Sequence, residues 1–282
     1  GQALLSGQDP YRDTSGVNTW PPVFSFLCVP LAVMAQAGAY PVRVAWLLFN
    51  YAALVVLVET VASVTDRGTH GAGRGWAVTR AAGFVPLVLT YRYTAANFEH
   101  LQVNIAVVAL TLTGLYWDSR GRSRAGGALV GVAAAIKLWP VAFVPYLAWR
   151  RRYRAAVGAL VAGALLSLSP AAVVGWAAFF DYVSAWRDAL MLAWGVGPMN
   201  QSVLALWDRV LGHGLLPLVS GGVSYLPRSG AGAVQAAWLA SLAVIGLAAA
   251  LAWRRRPAPD SVDVVGEWAA LFLVVALGGP VT

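Results

Sequence analysis

The chain has 282 residues, 59% of them hydrophobic and 11% charged, with a net charge of +8. A soluble domain carries roughly a quarter charged residues, so this composition excludes an ordinary water-soluble enzyme and places the chain among membrane proteins. The basic residues fall in short tracts between apolar runs, as on the loops of a polytopic membrane protein, which argues against nucleic acid as a partner.

Cys28 is the single cysteine and lies in an apolar stretch, so neither an intramolecular disulfide nor a cysteine-based metal site is available. The opening "GQALLSGQDPY" lacks the methionine, basic region and apolar core of a signal peptide, and the closing "LFLVVALGGPVT" lacks a polar tail. Both ends read as the interior of a longer protein.

Residues 1–20 are polar and turn-rich. The apolar stretch 21–38 contains three prolines, which predicts an interfacial or half-embedded helix. Residues 42–64 are apolar and long enough to cross a bilayer, and the loop beyond carries Arg67 and Arg74, with Arg80 close behind. A helix crossing a ~30 Å hydrocarbon core needs about 20 residues. The apolar runs 81–91 and 103–117 are shorter, and a polar patch at 92–102 lies between them. Two short helices meeting at a polar apex fit that pattern, provided the apex faces protein or a water-filled cavity.

"AGGALVGVAAAI" (125–136) and "LWPVAFVPYLAW" (138–149) are each about half a span. Arg120, Arg122 and Arg124 precede the pair, and Arg150, Arg151, Arg152 and Arg154 follow it. Pro140 removes a backbone donor and clashes with the preceding turn, which favours a break. A hairpin turning near Lys137 and Pro140 puts both basic clusters on one side. Residues 155–176 form a clear span. The region 177–231 reads as amphipathic helices of a long outer loop, followed by spans at 233–253 and from 265 onwards.

With 1–41 outside, the loops 65–80, 118–124, 150–154 and 254–263 lie inside and hold 13 of the 20 Lys and Arg residues. Replacing the hairpin by one span would carry the later arginine tracts outside, against the positive-inside rule. Polar groups then converge on the outer face. They are Asp9, Arg12 and Asp13 in the first loop; Arg92, Asn97, Glu99, His100, Gln102 and Asn104 at one apex; Lys137 at the other; and Asp181, Asp188, Asn200 and Gln201 in the long loop. Ionisable groups at membrane depth are costly and mark sites, and cations beside carboxylates suit an anionic, sugar-bearing lipid.

Plainer roles stand beside these. Lys137 also reads as snorkelling from a helix end, Glu99–His100 as an interfacial pair, and Arg92 between two tyrosines as an anchor. Gln102 and Asn104 sit where helix capping is ordinary, and "SGQDPYRD" has the composition of a turn. Asp66, Asp118, Asp260 and Asp263 fall on the inner side and are expected to be solvated. His70, His100 and His213 have no metal-ligand spacing, and no Gly-rich phosphate loop follows a strand, so neither a metal nor a cofactor is expected.

Five ordered motifs carry a further likeness: "ALLSGQDPY", "TWPPVFSFLCVPLA", "HLQVNIAVVAL", "AGGALVGVAAAIKLWPVAFVPYLAWRRRYRA" and "MNQSVLALWDRVLG". Together they resemble glycosyltransferase family 87, membrane enzymes of GT-C type. The resemblance implies an all-α polytopic fold with broken helical hairpins and interfacial helices, here one domain over 1–282. It implies transfer of a hexose, mannose by default, from a polyprenyl-phosphate donor to a lipid or glycan acceptor. Transfer would proceed with inversion, at a multi-pass cell-membrane protein's extracytoplasmic face. Asp9 or Asp13 would be the catalytic carboxylate, although the family's usual aspartate falls upstream of Gly1. Lys137 and Arg92 would bind the donor phosphate, and Glu99, His100, Gln102, Asn104, Asn200 and Gln201 would bind substrate. The family's Gly-Gln-x-Asn element appears as Leu101-Gln102-Val103-Asn104, with the glycine replaced. The alternative is a flippase or transporter of a lipid-linked sugar, which predicts internal repeats and polar groups on both faces.

Overall fold

A computed structural model describes residues 1–13, 18–65, 91–99, 101–193, 218–220, 223–225 and 262–278, with single positions at 88, 236, 239 and 243. The expected loop 65–80, the spans at 81–91 and 233–253, His70, His100, Asn200, Gln201, His213, Asp66 and Asp260 lie wholly or mostly outside the described residues. The side chains of Arg92 and Asp263 do as well.

The chain forms two compact units, residues 1–187 with 260–262, and residues 188–259 with 263–282. In the first unit come α1 (Gln2–Leu5), α2 (Pro22–Leu27), α3 (Val29–Ala35) and α4 (Ala39–Thr65). They are followed by α5 (Tyr91–Glu99), α6 (Asn104–Ser119) and α7 (Ser123–Ile136). A 3-10 turn (Trp139–Ala142) leads to α8 (Phe143–Trp149), α9 (Tyr153–Leu168) and α10 (Ala171–Val174), and α11 spans Trp176–Ala193. The second unit holds most of α12 (Val262–Gly278), with Val264 and Trp268 buried. It also holds a two-stranded antiparallel hairpin, β1 (Leu218–Ser220) on β2 (Val223–Tyr225), with Val219 opposite Ser224. The fold is helical as expected, and this short hairpin is its one departure among the described residues.

Among the described residues, Ala39–Val64 and Tyr153–Val174 are long and apolar enough to cross a membrane. The proline-rich stretch 21–38 is not one helix. It breaks at Cys28, because Pro30 has no N–H with which to continue the ladder from α2.

Close contacts fix the helix directions. A Cβ added to Gly127 would strike the carbonyl oxygen of Ala155, and one on Gly131 would strike that of Ala159. Gly158 in turn faces the backbone of Arg124 and Ala128. Rising numbers on α7 thus meet rising numbers on α9, so the two helices run parallel. Gly114 faces Gly126 and Val130 while Asp118 meets Gly126, so α6 and α7 run antiparallel. Parallel α7 and α9 require residues 138–149 to return to the starting end. That return is the hairpin expected from the arginine tracts, and both tracts lie at one end of the bundle.

Asp118 corrects the sequence reading. It is buried, 5% exposed, with Oδ2 3.5 Å from Nε of Arg152. The register of α6 against α7 turns this carboxylate inward, where composition alone places it in solvent.

The ends of α5, α6 and α8 close alike, as does that of α1 at Gly7. Leu101 (φ 51°), Gly121 (φ 84°) and Arg151 (φ 59°) each take the left-handed conformation. The next N–H then reaches back five residues: Gln102 to Asn97 O at 2.8 Å, Arg122 to Trp117 O at 2.9 Å, and Arg152 to Leu147 O at 2.8 Å. Leu101 therefore occupies a conformation that glycine adopts freely, at the position where the resembling family carries glycine.

Two stability predictions follow from this packing and these turns. Gly127→Ala should lower thermal stability in detergent by about 1–3 kcal/mol, because the added methyl has backbone in its place. Leu101→Gly should be neutral or stabilising by up to ~1 kcal/mol, and Leu101→Val destabilising by a similar amount. Equal melting temperatures for all three Leu101 forms would contradict the strain at that turn.

Candidate active site

Lys137 ends α7. Its N–H bonds Ala133 O at 2.9 Å, and its backbone is extended (φ −144°, ψ 129°) before buried Pro140 opens the 3-10 turn. This break frees the side chain to turn inward. Its Nζ donates to Asn104 Oδ1 at 2.8 Å and stands 5.1 Å from the centre of the Trp20 ring. The ammonium therefore has an amide oxygen and an aromatic face as partners, an arrangement that holds a cation without neutralising it. Among the described residues no carboxylate lies within ion-pair reach of it.

Asn104 is the first residue of α6, whose N-cap is Val103, with no capping side-chain bond. The capping role expected for Asn104 is therefore not observed, and its oxygen faces Lys137 instead. The two apices expected to converge on one face meet in this pair, 33 residues apart in sequence.

Trp20 is pinned from several sides. It stacks on Phe24 with ring centroids 4.4 Å apart. Its carbonyl accepts the Tyr11 hydroxyl at 2.8 Å, and its N–H donates to Asn18 Oδ1 at 3.2 Å. Asn18 Nδ2 donates to Pro10 O at 3.1 Å, and Trp186 on α11 donates Nε1–H to Thr19 O at 2.9 Å. Burial pushes the Tyr11 hydroxyl pKa well up, partly offset by its hydrogen bond with Ser25, so it remains a donor across the ordinary pH range. Beneath this layer Val103, Ala106, Val107 and Ala133 form a buried cluster, with Trp46, Ile136 and Trp139 packed against it.

Asp9 and Asp13 brace their own turn, as the "SGQDPYRD" composition allows. Asp9 Oδ1 accepts N–H from Tyr11 (2.8 Å) and Arg12 (3.3 Å), and Oδ2 lies 3.7 Å from Arg12 Nη1. Asp13 Oδ2 accepts the N–H of Asp9 at 2.7 Å. Each aspartate thus keeps one oxygen clear of backbone bonds; that of Asp9 lies in a long ion pair, and Asp13 is the more exposed of the two. The Asp9 charge also adds to burial in raising the pKa of Tyr182 on α11, whose ring lies 6.5 Å from that of Phe26.

Glu99 is exposed at the end of α5, and Gln102 takes part through its backbone. Asn50 and Asn97 form a buried amide pair, Asn97 Nδ2 donating to Asn50 Oδ1 at 3.1 Å. Sequence reading named Asn97 but passed over Trp20, Tyr11 and Asn50. Asn50 had a readable signal, a lone amide in a long apolar run. Trp20 lay within the motif "TWPPVFSFLCVPLA", but nothing in that motif pointed to contact with Lys137. Among the described residues no group of three His, Cys, Asp or Glu is placed to hold a metal.

Three mycobacterial proteins are similar in sequence. A polyprenol-phosphate-mannose-dependent alpha-(1-2)-phosphatidylinositol mannoside mannosyltransferase of Mycobacterium tuberculosis is 27% identical over 67% of this chain and 43% of its own length. A phosphatidylinositol pentamannoside mannosyltransferase of the same species, also polyprenol-phosphate-mannose-dependent, is 30% identical over 65% of the chain and 36% of its own length. A Mycolicibacterium smegmatis protein described like the first is 27% identical over 99% of the chain and 62% of its own length. The chain thus spans less than two thirds of each of these relatives, and no solved structure matches it. The family model for glycosyltransferase family 87 matches residues 18–280, nearly the whole of the sequence, and the chain belongs to that family.

Proposed function

We propose that the chain forms the donor-binding part of an integral-membrane glycosyltransferase. It moves a hexose, mannose on the model of the named relatives, from a polyprenyl phosphate to a lipid or glycan acceptor on the extracytoplasmic face. One observation carries the reading. Lys137 is partly buried at the meeting point of two helix ends, held by Asn104 and Trp20, and free of any carboxylate among the described residues. An ammonium so placed is receptive to an anion, and a lipid phosphate approaching from the bilayer meets that need.

The chemistry follows from charge development. A carboxylate takes the proton of the acceptor hydroxyl as its oxygen attacks the anomeric carbon, inverting that centre. The bond from that carbon to the phosphate oxygen breaks, and the leaving phosphate gains negative charge. Lys137, with Arg92 on α5 as its proposed companion, stabilises that charge where it grows. Asp9 is the proposed carboxylate: it is the less exposed of the two in the first loop, and its Oδ2 makes no backbone bond. Glu99, His100, Gln102, Asn104, Asn200 and Gln201 are the proposed sugar and acceptor contacts. The multi-pass topology rests on the basic tracts at 118–124 and 150–154, which share one end of the bundle and mark the cytoplasmic side.

In the full-length protein, Lys137→Ala should cut transfer from radiolabelled polyprenyl-phosphate mannose by about 100-fold or more, with expression intact. Retained turnover would remove Lys137 from the phosphate site. Asp9→Asn keeps an acceptor for the Tyr11 and Arg12 amides but takes no proton. It should abolish transfer without a change in melting temperature if Asp9 is the base, and an active Asp9→Asn enzyme would assign that role elsewhere.

A further inference from the structure

A second polar layer lies behind the Lys137 site. Asn50 sits roughly 16 Å along α4 from Ala39, at 1.5 Å per residue, and is fully buried. Its Nδ2 donates to Trp46 O at 3.1 Å, leaving its Oδ1 to accept from Asn97 Nδ2. The same Asn97 Nδ2 also donates to Gln102 O at 3.2 Å, and the Gln102 N–H returns to Asn97 O at 2.8 Å. Asn97 thus grips both backbone groups of Gln102. Gln102 lies between Leu101, in its left-handed conformation, and buried Val103, and Asn104 comes next.

We propose that Asn50 and Asn97 are positioning residues for Lys137, holding the 101–103 turn so that Asn104 Oδ1 stands where the ammonium can reach it. The proposal rests on the reading of Lys137 as the donor-phosphate ligand. Its physical ground is the poor economy of the pair as mere packing. Two buried amides between helices leave Asn97 Oδ1 without a hydrogen-bond partner, and an unmet buried acceptor is destabilising. Apolar side chains would fill that space without the penalty, but they could not hold the carbonyl of Gln102. The amides therefore act on the turn, and through it on Asn104 and Lys137.

The test uses the full-length protein with Asn97→Leu, Asn50→Leu and Asn50→Asp. Three quantities are measured: kcat and KM for polyprenyl-phosphate mannose, the melting temperature, and the rate at which Lys137 is reductively methylated, followed by mass spectrometry. Lys137 is the sole lysine of the 282 residues, so its peptide is unambiguous. Asn97→Leu should raise the donor KM about tenfold or more and speed methylation several-fold, as Lys137 loses the acceptor that Asn104 provides. Asn50→Leu should move both in the same direction by less, and it serves if Asn97→Leu does not fold. Asn50→Asp, which keeps an acceptor for Asn97 Nδ2, should recover most of the loss. Unchanged donor KM and methylation rate in folded Asn97→Leu or Asn50→Leu protein would overturn the proposal. If Asn97→Leu speeds methylation while Lys137→Ala leaves the donor KM unchanged, the positioning stands and the phosphate reading falls.

Discussion

Where Gly127 meets Ala155 and Gly131 meets Ala159, α7 and α9 touch through their backbones with no side chain between them. Such an approach is open only to small residues, and within a membrane it supplies the dispersion contacts that hydrophobic burial supplies in water. Because these helices are parallel, the chain must come back between them. Residues 138–149 are that return, and Lys137 stands where it begins. Larger side chains along the seam would separate α7 from α9 and displace the end of α7 that carries the lysine.

Around this apolar seam the bundle is tied by a few polar links. Thr60 and Thr113 share a hydrogen bond at 3.0 Å, Asn50 bonds Asn97, and Arg152 reaches Asp118. Inside a membrane such bonds are each worth about 0.6–2 kcal/mol, enough to choose a register though too little to create the bundle. Their spacing along the helices is informative. Asn50 and Asn97 lie close to the site, Thr60 and Thr113 further along α4 and α6, and Asp118 with Arg152 at the opposite, arginine-rich end. Each level of the packing therefore has its own registration mark.

The hairpin at 125–149 was legible because it follows from a regional property, the placement of arginine tracts, which survives ignorance of every contact. The family was legible from ordered motifs. The Lys137–Asn104 pair was not, since nothing local joins residues 33 positions apart. Asp118 was misread for a related reason. A carboxylate beside Ser119, Arg120 and Gly121 looks solvated, and it is the register of α6 against α7 that buries it. The break at Cys28 could have been foreseen from Pro30, whereas the role of Trp20 depends on tertiary contacts that its proline-flanked sequence does not announce.

The bond from Trp186 to the carbonyl of Thr19 joins residues 167 apart. During synthesis a chain emerges amino end first, at roughly 5–20 residues per second. The first loop must therefore wait on the order of ten seconds or longer for the residue that clasps it, while α4 to α9 are already available to assemble. The loop carrying Asp9 and Trp20 is consequently fastened late, onto a bundle that already presents Lys137. Order of birth and order of completion are reversed in this part of the molecule, because the bond that clasps Thr19 can form only after α4 to α9 have been made.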